Sequence, residues 1–256
     1  MTAVILTYHA IEDGPPPLCV DPKTFRAHLD AIGRSGAEVL TVSELVEALG
    51  GDEPPERAVA ITFDDGFRSV VREAAPMLHA RGMPATVFAV AGHLGRENDW
   101  PTQLPGAPRR PLADAEALAA LVDEGWEVGS HGYAHAPLSE ADDALVEREL
   151  VASRRRLETV VEAPVTSFAF PYGALPGAAG LDVVRSTYAS ACTTELRTVP
   201  SNPDALALPR VEVHYVRRPE LIERALHGYL DAYLWTRGLG ARVRRMVRRD
   251  YATGER

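Results

Sequence analysis

Short apolar runs rich in β-branched residues recur along this chain, and a stretch with helical periodicity lies between most of them. The runs fall at residues 4–9, 38–42, 58–64, 84–91, 126–130, 167–171, 188–193 and 208–215. The helical patterns fall at 22–35, 43–49, 67–81, 114–124, 140–162, 178–186 and 219–236. Parallel neighbours need a long crossover, usually a helix, so this alternation predicts a parallel sheet with helices packed outside it. Some eight strands in 256 residues predict a single-domain α/β fold, a closed or nearly closed β/α barrel. The competitor is an open doubly wound sheet. Its dinucleotide-binding form lacks support, because no Gly-x-Gly-x-x-Gly turn follows an early strand. Asp21 before Pro22 reads as the N-cap of the first helix, and Ser139 with Asp142 resembles a capping box for the 140–162 pattern.

Composition narrows the function classes. The chain is 46% hydrophobic, enough for a core, and no apolar stretch approaches the ~18 residues of a membrane span. Its net charge of −9 is unevenly spread: from Arg237 onward seven arginines face Asp250 and Glu255, a net of +5, which leaves about −14 on the body. An acidic body offers no nucleic-acid surface. The domain reading is a catalytic barrel over 1–218, followed by a C-terminal helix and basic tail over 219–256. The N-terminus "MTAVILTYHA" has no basic region or cleavage site, so the expected address is cytoplasmic. The basic tail reads either as a solvated extension or, with Val243, Met246 and Val247 at helical spacing, as a weak contact with an anionic membrane surface at the inner face. Cys19 and Cys192 show no framework spacing and read as free, buried thiols.

Three stretches carry chemistry. "AVAITFDDGF" (58–67) places Asp64 and Asp65 at the end of an apolar strand. Adjacent strand residues point to opposite sides unless the chain turns, so one carboxylate is free to bind a cation while the other handles protons. The competing reading is a helix cap. "GWEVGSHGYAH" (125–135) places His131 and His135 four apart beyond another strand, where two imidazoles can grip one metal. With Asp65 they make a three-ligand set that leaves open positions, and Asp64 is left as the candidate general base. "SFAFPYGA" (167–174) ends a third strand in a turn. In the long loop 92–113, Trp100 either stacks on a sugar ring or anchors the loop to the core.

In this order, "TFDDG" (62–66), "SHGYAH" (130–135) and "FPYG" (170–173) resemble the motifs of the polysaccharide deacetylases, carbohydrate esterase family 4, a domain shared with nodulation chitooligosaccharide deacetylases. The similarity spans roughly residues 4–216 and includes Tyr8-His9 and the 25–45 stretch, which resemble the poly-N-acetylglucosamine deacetylase branch. The resemblance implies a distorted (β/α)7 barrel. It implies one divalent metal on Asp65, His131 and His135, most often zinc, with cobalt or nickel as alternatives. It implies Asp64 as base and the Tyr172 backbone N–H as a donor to the oxyanion. The expected substrate is an amino sugar or a glycan or glycolipid containing one, from which an N-acetyl or other short acyl group is removed. The rivals are a deformylase or deacetylase of a non-sugar metabolite, an inactive carbohydrate-binding domain, and a phosphotransferase using Asp64, for which no phosphate-cradling loop is present.

This chain departs from the family pattern in three places. Gly132 stands where the second motif usually has Ser or Thr, and Thr166 and Ala169 stand where the third usually has arginines. One such arginine orients the base, and Arg210 is the expected substitute. Strand alternation over 208–215 puts Arg210, Glu212 and His214 on one face, pointing into the barrel. His214 is therefore the first candidate for the general acid. His9, at the end of the first strand, is the second.

Overall fold

A computed structural model of the 256-residue chain describes residues 1–103 and 106–237. The strands are β1 (Thr2–Tyr8), β2 (Ala10–Ile11), β3 (Cys19–Val20), β4 (Glu38–Leu40), β5 (Arg57–Phe63), β6 (Thr86–Ala89), β7 (Glu127–Ser130), β8 (Ser167–Ala169), β9 (Ser190–Cys192) and β10 (Val211–Glu212). The α-helices are α1 (Pro22–Ser35), α2 (Val42–Gly50), α3 (Ala75–His79), α4 (Ala115–Asp123), α5 (Asp143–Val146), α6 (Ser153–Val161), α7 (Ala178–Thr187) and α8 (Pro219–Leu226).

The sheet order is β10-β1-β5-β6-β7-β8-β9, and its paired strands run parallel. β1 pairs with β5 along its whole length, while β4 joins Ala58–Ala60 and β6 joins Thr62 and Phe63. Two short strands thus share one edge of a long one. Between β9 and β10 an irregular segment closes the ring. Ala191 N–H donates to the Ala205 carbonyl, Leu208 N–H to that of Ala191, and Thr193 N–H to that of Leu208, each at 2.8 Å. The result is the distorted (β/α)7 barrel. β2 and β3 form a separate parallel ribbon whose strands of two residues are too short to show a period in sequence.

Strand alternation divides the core. Val4, Leu6 and Tyr8 of β1, with Val59, Ile61 and Phe63 of β5, face the outer helices. Ala3 and Ile5, with Ala58, Ala60 and Phe88, fill the barrel interior. Because the strands are parallel, the residues after β1, β5, β7 and β8 emerge at one rim, where His9, Asp64, His131 and Tyr172 stand.

Several local expectations need correction. The 67–81 helix opens with a widened π turn, Val70–Ala74, because Pro76 has no N–H to return to the previous turn. The 140–162 helix likewise widens over Glu147–Ala152. There the Ser153 hydroxyl donates to the carbonyl of Leu150 (3.2 Å) and Tyr188 OH donates to the same oxygen (2.7 Å). Asp142, not Ser139, caps that helix, accepting from Leu145 N–H at 2.8 Å. Asp21 caps α1 as expected, accepting from Thr24 N–H at 2.9 Å. The expected 208–215 strand lasts only through β10, since the Glu212 side chain accepts from His214 N–H and starts a turn over Val213–Tyr215. The 219–236 helix breaks after α8 and resumes over 231–237. Ile222, Ala225 and Leu226 of α8 are buried in the main core, and Arg34 of α1 pairs with Glu223 at 2.7 Å. Residues 238–256, and with them most of the basic tail and its expected membrane contact, lie outside the described residues. Cys19 and Cys192 are buried and free.

Candidate active site

The alternation of β5 carries Asp64 inward, below the rim. Asp65 would point outward had the chain stayed extended, but it adopts a left-handed conformation with φ 71°. Gly66 continues the turn at φ 77°, with Ala89 Cα only 3.4 Å from where a Cβ would sit. Both carboxylates therefore face one cavity. His135 (φ 55°) and Tyr172 (φ 58°) are left-handed as well. Such backbone in non-glycine residues costs ~1–3 kcal/mol each and gathers at functional sites.

Asp65 Oδ1 lies 3.6 Å from His131 Nε2 and 3.3 Å from His135 Nε2. It is buried and has no hydrogen-bond partner. Two ligand atoms each ~2.1 Å from a tetrahedral ion stand about 3.4 Å apart, so the spacing and the orphaned oxygen both fit a shared divalent cation. The three ligand atoms lie within 4.8 Å of one another. His131 Nδ1–H donates to the Ala169 carbonyl at 2.8 Å, which fixes the tautomer and leaves the Nε2 lone pair facing Asp65. Burial pushes the His131 imidazole down to about 4, so it is a neutral ligand near pH 7. Burial pushes Asp65 up, but the imidazoles of His135, His9 and His131 outweigh it and hold it below the usual carboxylate range.

Asp64 is gripped by Arg210 through two hydrogen bonds, Nη1 to Oδ1 at 2.6 Å and Nη2 to Oδ2 at 2.8 Å. Arg210 is itself 3% exposed, and its Nε donates to the Thr193 carbonyl at 3.0 Å. Burial raises the Asp64 carboxyl, but Arg210, His131 and His9 together overcome it and keep Asp64 ionised. His9 lines the same cavity, with Nδ1 3.9 Å from Glu212 Oε2. Burial lowers its pKa, and the carboxylates of Glu212, Asp65 and Asp64 outweigh that to raise it. His214 does not join this group. It sits exposed in the turn after β10, because strand alternation ends at Glu212.

The cavity, of ≈ 370 Å³, has Leu18, Trp100, Phe170 and Tyr172 among its walls. Trp100 is 3% exposed and stacks on the His135 ring at 4.3 Å, so it both anchors its loop and forms a wall. The Tyr172 ring packs edge-on against His135 at 4.6 Å, and its hydroxyl donates to the Thr102 carbonyl at 3.0 Å.

One participant escapes a sequence reading. Glu149, in the π turn between α5 and α6, is fully buried and accepts from the N–H groups of Tyr133, Ala134 and Ala136. A Cβ at residue 132 would stand 2.6 Å from Glu149 Oε2, and φ there is 81°. The left-handed backbone and that contact together account for Gly132 at this place.

The polysaccharide deacetylase family model matches residues 51–189. A Bacillus subtilis (strain 168) protein named as a polysaccharide deacetylase, YxkH, is 27% identical over 229 residues, 89% of this chain and 76% of that one. The poly-β-1,6-N-acetyl-D-glucosamine N-deacetylase of Staphylococcus aureus (strain MSSA476) is 22% identical over 214 residues, 80% of this chain and 71% of that protein. The solved structure of IcaB from Ammonifex degensii superposes with a TM-score of 0.73 at 26% identity, covering 88% of this chain and 97% of that one.

Proposed function

This chain belongs to the polysaccharide deacetylase family, and on that premise we propose that it hydrolyses the N-acetyl, or another short N-acyl, group of an amino sugar in a glycan or glycolipid, with a divalent ion on Asp65, His131 and His135. The observation that carries this reading is the buried Asp65 Oδ1, without a hydrogen-bond partner and facing two imidazole nitrogens. Zinc is the first choice for such a nitrogen and oxygen donor set, with cobalt or nickel as alternatives. Bound there, the ion supplies Lewis-acid polarisation of the scissile carbonyl and acidifies a water.

The chain's own groups do the rest. Asp64, kept ionised by Arg210, takes a proton from the attacking water as its oxygen bonds to the amide carbon. The oxyanion formed there receives the Tyr172 backbone N–H, at the turn beyond β8. His9 then gives its proton to the nitrogen as the C–N bond breaks, releasing free amine and acetate. The neighbouring carboxylates that favour its protonated form support His9 in that role over His214, which stands outside the cavity.

The S. aureus relative's name makes β-1,6-linked N-acetylglucosamine oligomers the first substrate to try. They belong in a panel with free, nucleotide-linked and differently linked N-acetyl amino sugars, assayed for acetate release. The expected result is release from at least one glycan, abolished by chelation and restored by Zn²⁺. No release from any member by metal-loaded protein, or release indifferent to chelation, overturns the reading.

A further inference from the structure

The loop from Gly132 to Ala136 carries His135 and follows directly on His131, so its shape sets the separation of two imidazoles. Every buried backbone group needs a partner. The carbonyls of Gly132 and Tyr133 accept from Ala91 N–H (3.0 Å) and Gly92 N–H (2.8 Å), and the His135 carbonyl accepts from the Thr102 hydroxyl (3.0 Å). Donors on the other side of the loop converge on one carboxylate. Glu149 Oε2 accepts from Tyr133 N–H at 2.9 Å, Ala134 N–H at 3.0 Å and Ala136 N–H at 3.4 Å. Its Oε1 takes Ala134 N–H again at 3.2 Å and the half-exposed Arg148 at 3.2 Å. The successive amides form a small anion cradle, filled here by a side chain of the same molecule. The π turn Glu147–Ala152 carries that side chain, and the glycine at 132 leaves room for its oxygen.

We propose that Glu149 is a positioning residue of the metal site. Its carboxylate is the template on which the 132–136 loop folds, and it thereby holds His131 and His135 at the spacing that matches Asp65. This rests on the reading that Asp65, His131 and His135 hold a metal. Glu149 does not line the cavity, and it accepts from the amides on either side of His135, so it acts through the loop backbone.

The test uses the full chain with Glu149→Gln, which keeps the size but turns an NH₂ toward N–H donors. Zn²⁺ affinity is measured by competition with a chromophoric chelator, the visible absorption of the Co²⁺-loaded protein is recorded, and folding of the metal-free protein is followed by circular dichroism. The expected result is a folded protein that binds one Zn²⁺ 10–100-fold more weakly, the scale for loss of a group that orients metal ligands, with a changed Co²⁺ spectrum. A merely structural glutamate leaves that spectrum unchanged. Should Glu149→Gln not fold, Glu149→Asp keeps the charge but withdraws it by one methylene, and the same loss is expected. Wild-type affinity and spectrum in a folded variant overturn the proposal while leaving the metal reading intact. Wild-type protein that binds neither ion overturns both.

Discussion

Replacing Arg210 by Met tests the electrostatic heart of the site. The guanidinium makes two short hydrogen bonds to Asp64 and one to the Thr193 carbonyl, and it lies 5.6 Å from the centroid of the Phe88 ring. Methionine keeps much of the length and packing but takes from the buried Asp64 carboxylate its guanidinium partner. Breaking one side of a buried ion pair costs about 3–5 kcal/mol, mostly the price of the stranded charge. For 256 residues, an unfolding entropy of about 2.1 cal/mol/K per residue makes that a fall in Tm of about 6–9 °C. The proteins are compared after chelation, because a bound ion adds its own stabilisation. Urea unfolding followed by circular dichroism gives the free energies at neutral pH. Asp64→Asn with Arg210→Met removes both charges, and the pair is then expected to recover most of the loss, ending within about 2 kcal/mol of wild type. A cost below about 1 kcal/mol for Arg210→Met alone, or a double variant whose loss equals the sum of the singles, refutes the reasoning.

Asp64→Asn alone is expected to keep its metal and lose at least ~10²-fold in turnover, the scale for a missing general base; metal analysis beside an acetate assay checks it. His9→Ala is expected to lose turnover by a similar ~10²-fold, whereas His214→Ala stays near wild type; the reverse outcome would return the acid to the turn after β10. Cys192, pushed up to about 12 by burial first of all, is expected to resist iodoacetamide at pH 9 in the native protein and to react at once in urea. Because that thiol's pKa is raised on folding, its contribution to stability is whole below the unfolded thiol's pKa and declines as pH rises above it.

Much of this site is readable from short-range spacing. Asp64 and Asp65 follow β5 directly, His131 follows β7 and His135 stands four residues beyond His131, and parallel pairing of β5 with β6 and β6 with β7 brings those strand ends together. Arg210 was legible as a substitute for the base-orienting arginine of the resembled family, with strand alternation placing it inward. The same count failed at His214, because the Glu212 side chain bonds to the backbone ahead of it and ends the extended run. Glu149 was hidden for a different reason. It sits among Glu147, Arg148 and Arg154 in a stretch that reads as a solvated helix face, and only the π turn rotates it into the interior. The partners that explain it are backbone amides 13 to 16 residues away, which no side-chain pattern records.

The described residues include four non-glycine positions with left-handed backbone, and three of them are Asp65, His135 and Tyr172. Glycine at any of these places relieves up to ~1–2 kcal/mol of backbone cost. A library sorted on heat tolerance alone is therefore pulled toward glycine at Asp65 and His135, two of the three proposed metal ligands. Such a selection would yield hardier molecules that hydrolyse nothing, and it would do so without disturbing a single strand of the barrel. Any directed improvement of this protein has to carry turnover through every round, because costly backbone and proposed metal binding coincide at Asp65 and His135.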